Sequence, residues 1–201
     1  MSIDFTVMYA AHDAFRRDLD RLANVVAADR ASSPRVRAGW ANFKHQLRIH
    51  HIVEDTVLWP RVQRAARGMP SALALLREMA EEHSRIDPLL AAVDAGLGGA
   101  AGLLEHVEDL RAALDEHLGH EERSALPLVR SLLTPEDWEA FTEEIRRRQG
   151  AQGTAVFVPW VIDGIAPTER SRFLATLPPP VRSLNRLTWE RRYRKLRLWA
   201  V

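Results

Sequence analysis

Apolar residues recur at alternating spacings of three and four along roughly the first 130 residues. This spacing places them on one face of a helix, so each such stretch predicts an amphipathic α-helix. The pattern predicts four long helices, over about residues 4–29, 34–66, 70–95 and 101–132. The breaks between them are short, which makes successive helices antiparallel neighbours. The expected fold class is therefore all-α, an up-down-up-down four-helix bundle.

A fifth helix is predicted to begin at Thr134, where a capping residue precedes Pro135 and two acids. It should end near Arg148–Gly150. Residues 151–201 have a less regular pattern, with a short helix expected at Thr168–Leu177. We therefore expect two parts: residues 1–132 as the bundle and residues 133–201 as a helical C-terminal extension.

Composition narrows the chemistry and the compartment. The 201 residues include no cysteine, which excludes disulfides, cysteine–zinc sites, iron–sulfur clusters and a cysteine nucleophile. The N-terminal segment has neither the basic nor the apolar region of a signal peptide. The longest strongly apolar run, Ala155–Ile162, is far shorter than the roughly 20 residues of a membrane span. A cytoplasmic protein without a transmembrane segment is expected.

A histidine falls on the apolar stripe of each of the four predicted bundle helices. In the second and fourth helices a glutamate follows four residues later, which places both side chains on one helix face. The six residues are His12, His50, Glu54, His83, His117 and Glu121.

The sequence also repeats itself. The segment from His50 to Pro60 aligns without gaps to the segment from His117 to Pro127, with His, Glu, a second acid and Pro at the same offsets. Each half of the bundle is thus a helical hairpin that supplies two histidines and one glutamate. Counting residues along the helices places the six side chains within roughly 5 Å of one level.

A metal site explains these six residues better than a structural core does. A lone histidine on an apolar stripe is usually hydrogen-bonded in the core, but two buried carboxylates repel each other at a high energetic cost. Divalent cations remove that repulsion, and two carboxylates that can bridge favour a dinuclear centre. The residue types leave iron, manganese and zinc open. The Glu-x-x-His signature of ferritin-like bundles and the His-Glu-x-x-His signature of zinc proteases are both absent.

With this doubled motif, residues 5–130 resemble the hemerythrin-like, or HHE cation-binding, family. The resemblance implies a four-helix bundle that holds two non-heme irons, with an oxo or hydroxo bridge between them as one form of the di-iron centre. The family's metal ligands would correspond to His12, His50, Glu54, His83, His117 and Glu121, with both glutamates as bridging ligands.

One ligand of the oxygen-carrying members has no counterpart. Those proteins place two histidines one turn apart on the third helix, whereas Met79 and Asp87 flank His83 at that spacing. Asp87, Glu122 or His120 could substitute, or the position could stay open to water. His51 lies off the stripe and is expected to support the site or to lie at the surface.

The resemblance implies a protein that binds or reacts with O2, peroxide or NO, in a redox or oxidative-stress role. Such a protein needs a redox partner, which the sequence does not identify, and whether it is an oxidoreductase that turns over is left open. The alternative is a non-catalytic iron or oxygen sensor, or an iron-binding module, that signals through its C-terminal tail.

The tail itself is basic. From Val181 onward there are seven basic residues and one acid, in a chain whose formal net charge is only +1. The tail is similar to extensions on actinobacterial members of the family. It could pack its Leu and Trp side chains on the bundle, bind an anionic surface, or form a homodimer contact. We favour packing, and the mixture of charge with Trp189, Tyr193 and Trp199 argues against a nucleic-acid-binding arm.

Overall fold

The computed structural model describes residues 3–201, and every regular element in that range is helical. The all-α prediction is therefore confirmed. The first part contains α1 (Thr6–Ala27), α2 (Pro34–Val53), α3 (Trp59–Ala65), α4 (Pro70–Leu97), α5 (Leu103–His120) and α6 (Leu126–Leu132). These helices occupy the four predicted stretches, with ends that shift by a few residues.

The second and fourth predicted helices each contain a wider π-helical turn. One turn, Glu54–Leu58, lies between α2 and α3, and the other, Glu121–Ala125, lies between α5 and α6. The amide following each turn donates to the carbonyl five residues back, at Glu54 and at Glu121. Pro60 and Pro127 come next, and a proline cannot donate to the carbonyl four residues back. Both turns begin at the glutamate of the repeated motif.

The C-terminal part is more helical than the sequence indicated. It contains α7 (Pro135–Val161), α8 (Pro167–Thr176), α9 (Pro179–Leu184) and α10 (Glu190–Leu196), with a π-helical turn at Asn185–Trp189. The expected end near Gly150 is a bend, where the glycine adopts φ 60° and ψ −177°. The non-helical backbone at Gly150 separates two helical segments of α7, so the predicted end of the first segment there is confirmed. The second segment, which continues through Pro159 to Val161, was not predicted.

The described residues form two compact units. The central unit contains Ile3 and Leu47–Arg147, and the terminal unit contains Asp4–Gln46 with Arg148–Val201. In the central unit α4 and α5 pack against each other after a short loop. Its core residues follow the predicted stripes, and Met79, Ile86, Leu110 and Leu114 are almost completely buried.

The terminal unit is built around aromatic contacts with α1. The ring of Phe15 lies 5.8 Å from that of Phe43 and 5.3 Å from that of Trp160. Asp18 is fully buried, and its Oδ2 accepts a 2.8 Å hydrogen bond from the Trp160 indole. Near the end of the chain, the Trp199 indole lies directly against Gly39, where any Cβ would clash with it.

Within residues 3–201, no helix combines the length and the apolar character that crossing a membrane requires.

Candidate metal centre

The central unit brings together two groups of metal-donor side chains. Ring nitrogens of His51, His83 and His117 all lie within 4.8 Å of one another. Donor atoms of His50, Glu54 and Glu121 also lie within 4.8 Å of one another. The first group is purely imidazole, and the second combines one imidazole with two carboxylates, so both suit a divalent transition metal.

The imidazole group is tightly packed. The rings of His51 and His83 stack with centroids 4.0 Å apart and an interplanar angle of 18°. The Nε2 atoms of His83 and His117 face each other at 3.1 Å. Three helices therefore supply one imidazole each: α2 carries His51, α4 carries His83 and α5 carries His117.

Carboxylates outside this group fix the orientation of two of its rings. Asp55 Oδ1 lies 2.9 Å from His83 Nδ1, and Glu82 Oε2 lies 2.8 Å from His117 Nδ1. A carboxylate only accepts hydrogen bonds, so each Nδ1 carries a proton, and in a neutral ring Nε2 then presents a lone pair. Two neutral rings would bring two lone pairs together at 3.1 Å, and either a shared proton or a bound cation removes their repulsion. This is the arrangement in which carboxylates support metal-binding histidines.

The protonation states also favour metal binding. Burial, together with the neighbouring His83, lowers the pKa of His117, so its neutral, ligating form predominates at pH 7. Partial burial works to raise the pKa of Glu82, but hydrogen bonds from His117 and His120 outweigh it and lower that pKa. Glu82 is therefore ionised, and its second oxygen accepts a 2.8 Å bond from His120 Nδ1.

Glu54 belongs to the second group, and its carboxylate also approaches the first. Its Oε1 is 3.0 Å from His50 Nε2, and its Oε2 is 3.5 Å from His83 Nε2. The side chain is fully buried, and neither oxygen accepts a hydrogen bond from any described residue. Burial raises the pKa of Glu54, and the charges of Glu121 and Asp55 raise it further. A bound cation would supply the positive charge that this carboxylate lacks, so the residues present fit a metal.

The remaining predicted ligands are also buried. His117 lies in the last turn of α5, and Glu121 begins the π-helical turn that follows. At most 1% of either residue is exposed. His12 lies on α1, in the terminal unit, and is fully buried as well. Its role as a ligand stays a prediction.

The sequence did not identify His51 as a donor. Of the three substitutes considered for the missing histidine, Asp87 is exposed, Glu122 is half-buried, and His120 bonds to Glu82. His51, in contrast, stacks directly on His83. The signal in the sequence was the doublet His50-His51, which supplies a second imidazole one residue after the helix stripe.

Buried histidines and carboxylates in an all-helical chain define a metal-binding helical protein. The family model for the hemerythrin HHE cation binding domain matches residues 4–129. The chain belongs to this family, whose fold is a helical bundle that binds cations, and it carries further helices beyond the matched region. No curated protein and no solved structure is significantly similar to it.

Proposed function

We propose that this protein is a non-heme di-iron protein that binds or reacts with O2, peroxide or NO. The position of Glu54 carries the proposal. One of its oxygens faces the group that contains His50, and the other faces the group that contains His83. A carboxylate placed in this way is suited to bridge two ions. The imidazole-containing group on each side supplies the other ligands.

The proposed ligands are the six residues of the repeated motif together with His51. They are His12, His50, Glu54, His83, His117, Glu121 and His51. His51 supplies the fifth imidazole, which replaces the histidine that α4 lacks. Asp55 and Glu82 do not bind the metal in this scheme. They hold His83 and His117 with Nε2 directed into the site.

Iron in this site would supply one-electron redox chemistry and affinity for small oxygen or nitrogen ligands. The protein's own residues do the rest. The buried side chains of Leu47, Met79 and Leu114 exclude bulk water from the surrounding core. The Glu82 carboxylate keeps the Nδ1 proton of His117 in place through its hydrogen bond. No further acid or base is assigned, so the proposal is binding or reaction with a small ligand and names no substrate.

The first test is metal content. We expect protein from iron-supplemented medium to contain about two irons per chain, with the visible absorption of a bridged di-iron site. The variant His51→Ala should retain roughly half of that iron, because its group keeps only two imidazoles. His45→Ala is the matched control, since His45 is exposed on the same helix. Protein that melts cooperatively but takes up no Fe²⁺ anaerobically would contradict the proposal.

A second test separates reaction from sensing. The ferrous protein is mixed anaerobically with defined amounts of O2, hydrogen peroxide or NO, and both absorbance and ligand loss are followed. Consumption of many equivalents per iron indicates an enzyme. Stoichiometric, reversible binding without turnover indicates the sensor or iron-binding module instead. The absence of any spectral change with all three would contradict both the reactive protein and the oxygen sensor.

A further inference from the structure

A pocket of about 380 Å³ lies in the terminal unit, between α8 and the segment from α9 to α10. This volume is in the range that holds small molecules. It lies wholly outside residues 4–129, which the cation-binding family covers. Its polar wall consists of Arg170, Arg182, Ser183, Asn185, Arg186 and Glu190.

The pocket has an uncompensated positive charge. Glu190 is its one acid, and Glu190 Oε1 accepts a 2.6 Å bond from Arg170. Arg182 and Arg186 form no ion pair with any residue in the described part of the chain. They are four residues apart, so their like charges are neighbours along one helical face and repel each other. Two free guanidinium groups match the charge of a phosphate dianion better than that of a single carboxylate.

Asn185 adds a specific requirement. It is 1% exposed, and its Nδ2 donates a 2.7 Å hydrogen bond to Glu190 Oε1. The carboxylate can only accept, so the NH2 end must face Glu190. Asn185 Oδ1 is then buried and has no donor among the described residues. Leaving such an oxygen unsatisfied costs free energy, so a ligand with a hydroxyl donor would be favoured here.

The backbone is also unusual at this residue. The π-helical turn Asn185–Trp189 begins at Asn185, as the other two turns begin at the glutamates of the candidate metal centre. Such turns occur frequently at functional sites. No proline follows this third turn, so a missing backbone donor does not account for it.

We propose that this pocket binds a phosphomonoester of a polyhydroxy compound, such as a sugar phosphate. Arg182 and Arg186 pair with the phosphate, Arg170 borders it, and Asn185 Oδ1 accepts a hydrogen bond from a ligand hydroxyl. The site is separate from the candidate metal centre in its residues and its chemistry, so either proposal can fail without the other.

The test is calorimetric titration of the full-length protein with glucose 6-phosphate, inorganic phosphate and glucose. We expect saturable binding of glucose 6-phosphate that is at least tenfold tighter than that of phosphate, and no binding of glucose. The double variant Arg182→Ala/Arg186→Ala should weaken binding at least about tenfold, because charge-assisted hydrogen bonds are lost. Failure of glucose 6-phosphate to bind saturably would overturn the proposal.

A matched control removes the same charge elsewhere on the tail. Arg191 and Arg192 are exposed on α10 and do not line the pocket. Their replacement by alanine should change the dissociation constant less than twofold. Equal weakening by both double variants would show non-specific attraction and overturn the site. Asn185→Ala should reduce the preference for glucose 6-phosphate over phosphate. If that variant does not fold, the arginine pairs still decide the question.

A lipid headgroup offers the same chemistry as a soluble phosphomonoester. Sedimentation with phosphatidylcholine vesicles that carry phosphatidylinositol phosphate distinguishes the two sources. If glucose 6-phosphate displaces the protein from the vesicles, the pocket is the site that binds the headgroup. The proposal is overturned if saturating glucose 6-phosphate leaves vesicle binding unchanged and calorimetry detects no binding of the sugar phosphate. Vesicle binding would then be adsorption to the charged surface.

Discussion

At the scale of single residues, the most unusual group is the carboxylate of Glu54. It is fully buried, its pKa is raised by burial and by two other acids, and it lies 3.0 Å from His50 Nε2. Such a group weakens the metal-free fold, because the unfolded chain hydrates its charge better. We expect Glu54 to lower the free energy of unfolding of the metal-free protein and to serve as a ligand when metal is bound.

Replacement of this residue should therefore stabilise the metal-free protein. A raised pKa means that the folded state binds a proton more tightly than the unfolded state, so stability falls as the pH rises through that pKa. We expect metal-free Glu54→Gln to be more stable than the parent by about 1–3 kcal/mol near pH 7.5, with a smaller difference near pH 5. Urea unfolding at both pH values measures this.

The control for this substitution is Glu81→Gln, which changes an exposed glutamate on α4. It should leave stability nearly unchanged at both pH values. A Glu54→Gln protein that is less stable than the parent at neutral pH would show that the carboxylate is ionised and well paired without metal.

A second residue-scale prediction concerns Glu82, which holds His117 and His120 through 2.8 Å hydrogen bonds. Glu82→Ala should weaken iron retention by about 10–100-fold, because the His117 ring loses its fixed tautomer and orientation. Competition with a chelator measures this, and Glu81→Ala serves as the neighbouring control. Equal retention by both variants would remove Glu82 from the site.

The contrast between His83 and His51 shows what the sequence could predict at this scale. His83 lies on a regular apolar stripe, so periodicity places it in the core beside His117. His51 lies one residue beyond the stripe, and periodicity turns it away. Only the packing of its ring on His83 brings it into the site, and no count of spacings contains that information.

At the scale of elements, the two halves of the motif share a local geometry. Each half runs from an α-helix through a π-helical turn that begins at the glutamate and reaches a proline two residues after the turn. A π-helical turn contains more residues than an α-helical turn. It therefore rotates the following helix about its axis relative to the histidine–glutamate pair. A glutamate at this junction can face the site while the next helix still buries its own apolar side.

The prolines give an element-scale prediction. In the double variant Pro60→Ala/Pro127→Ala, both positions regain an amide that can bond four residues back, so regular α-helix becomes available. We expect iron retention to fall, because both glutamates then have a competing orientation. The measurement is iron per chain after dialysis against a chelator.

The matched control is Pro88→Ala, because Pro88 lies inside α4 without a π-helical turn. This residue also shows that a proline alone does not create the wider turn. Retention that falls equally in the control would indicate general destabilisation and contradict the role given to the turns.

The helices were predictable to different degrees. Proline and capping signals located the starts of α2, α4 and α7, because those residues act through local backbone geometry. The interruption of α7 at Gly150 was also predicted, but the second helical segment beyond it, up to Val161, was not. Pro159 lies in this second segment, where its apolar neighbours Val158 and Trp160 are buried.

At the scale of the whole molecule, contacts distant in sequence hold the terminal unit together. Arg17 donates to the carbonyls of Trp160 and Asp163, and Asp18 accepts from the Trp160 indole. Arg21 pairs with Asp163 at 2.8 Å. The helix that carries His12 thus depends on residues outside the region that the family model matches. The division into residues 1–132 and 133–201 remains a prediction about sequence modules.

The indole contact yields a stability prediction. Trp160→Phe keeps a large apolar ring but removes the donor to the buried Asp18 carboxylate. The free energy of unfolding should fall by about 1–3 kcal/mol, the usual result of leaving a buried acceptor unsatisfied. Urea unfolding measures it, with Trp189→Phe as the control, because Trp189 is only half-buried. Losses that match in the two variants would show that the hydrogen bond contributes nothing.

These same contacts set an order of events during synthesis. The hydrogen-bond partner of Asp18 is 142 residues further along the chain. At about 5–20 residues per second, a ribosome needs roughly 7–28 s to reach it. During that interval the nascent α1 has no indole for its carboxylate and no ring for Phe15 to pack on from that side. Its final packing therefore waits for the last quarter of the chain. In the proposed site, insertion of metal at His12 would then be a late, post-synthetic step.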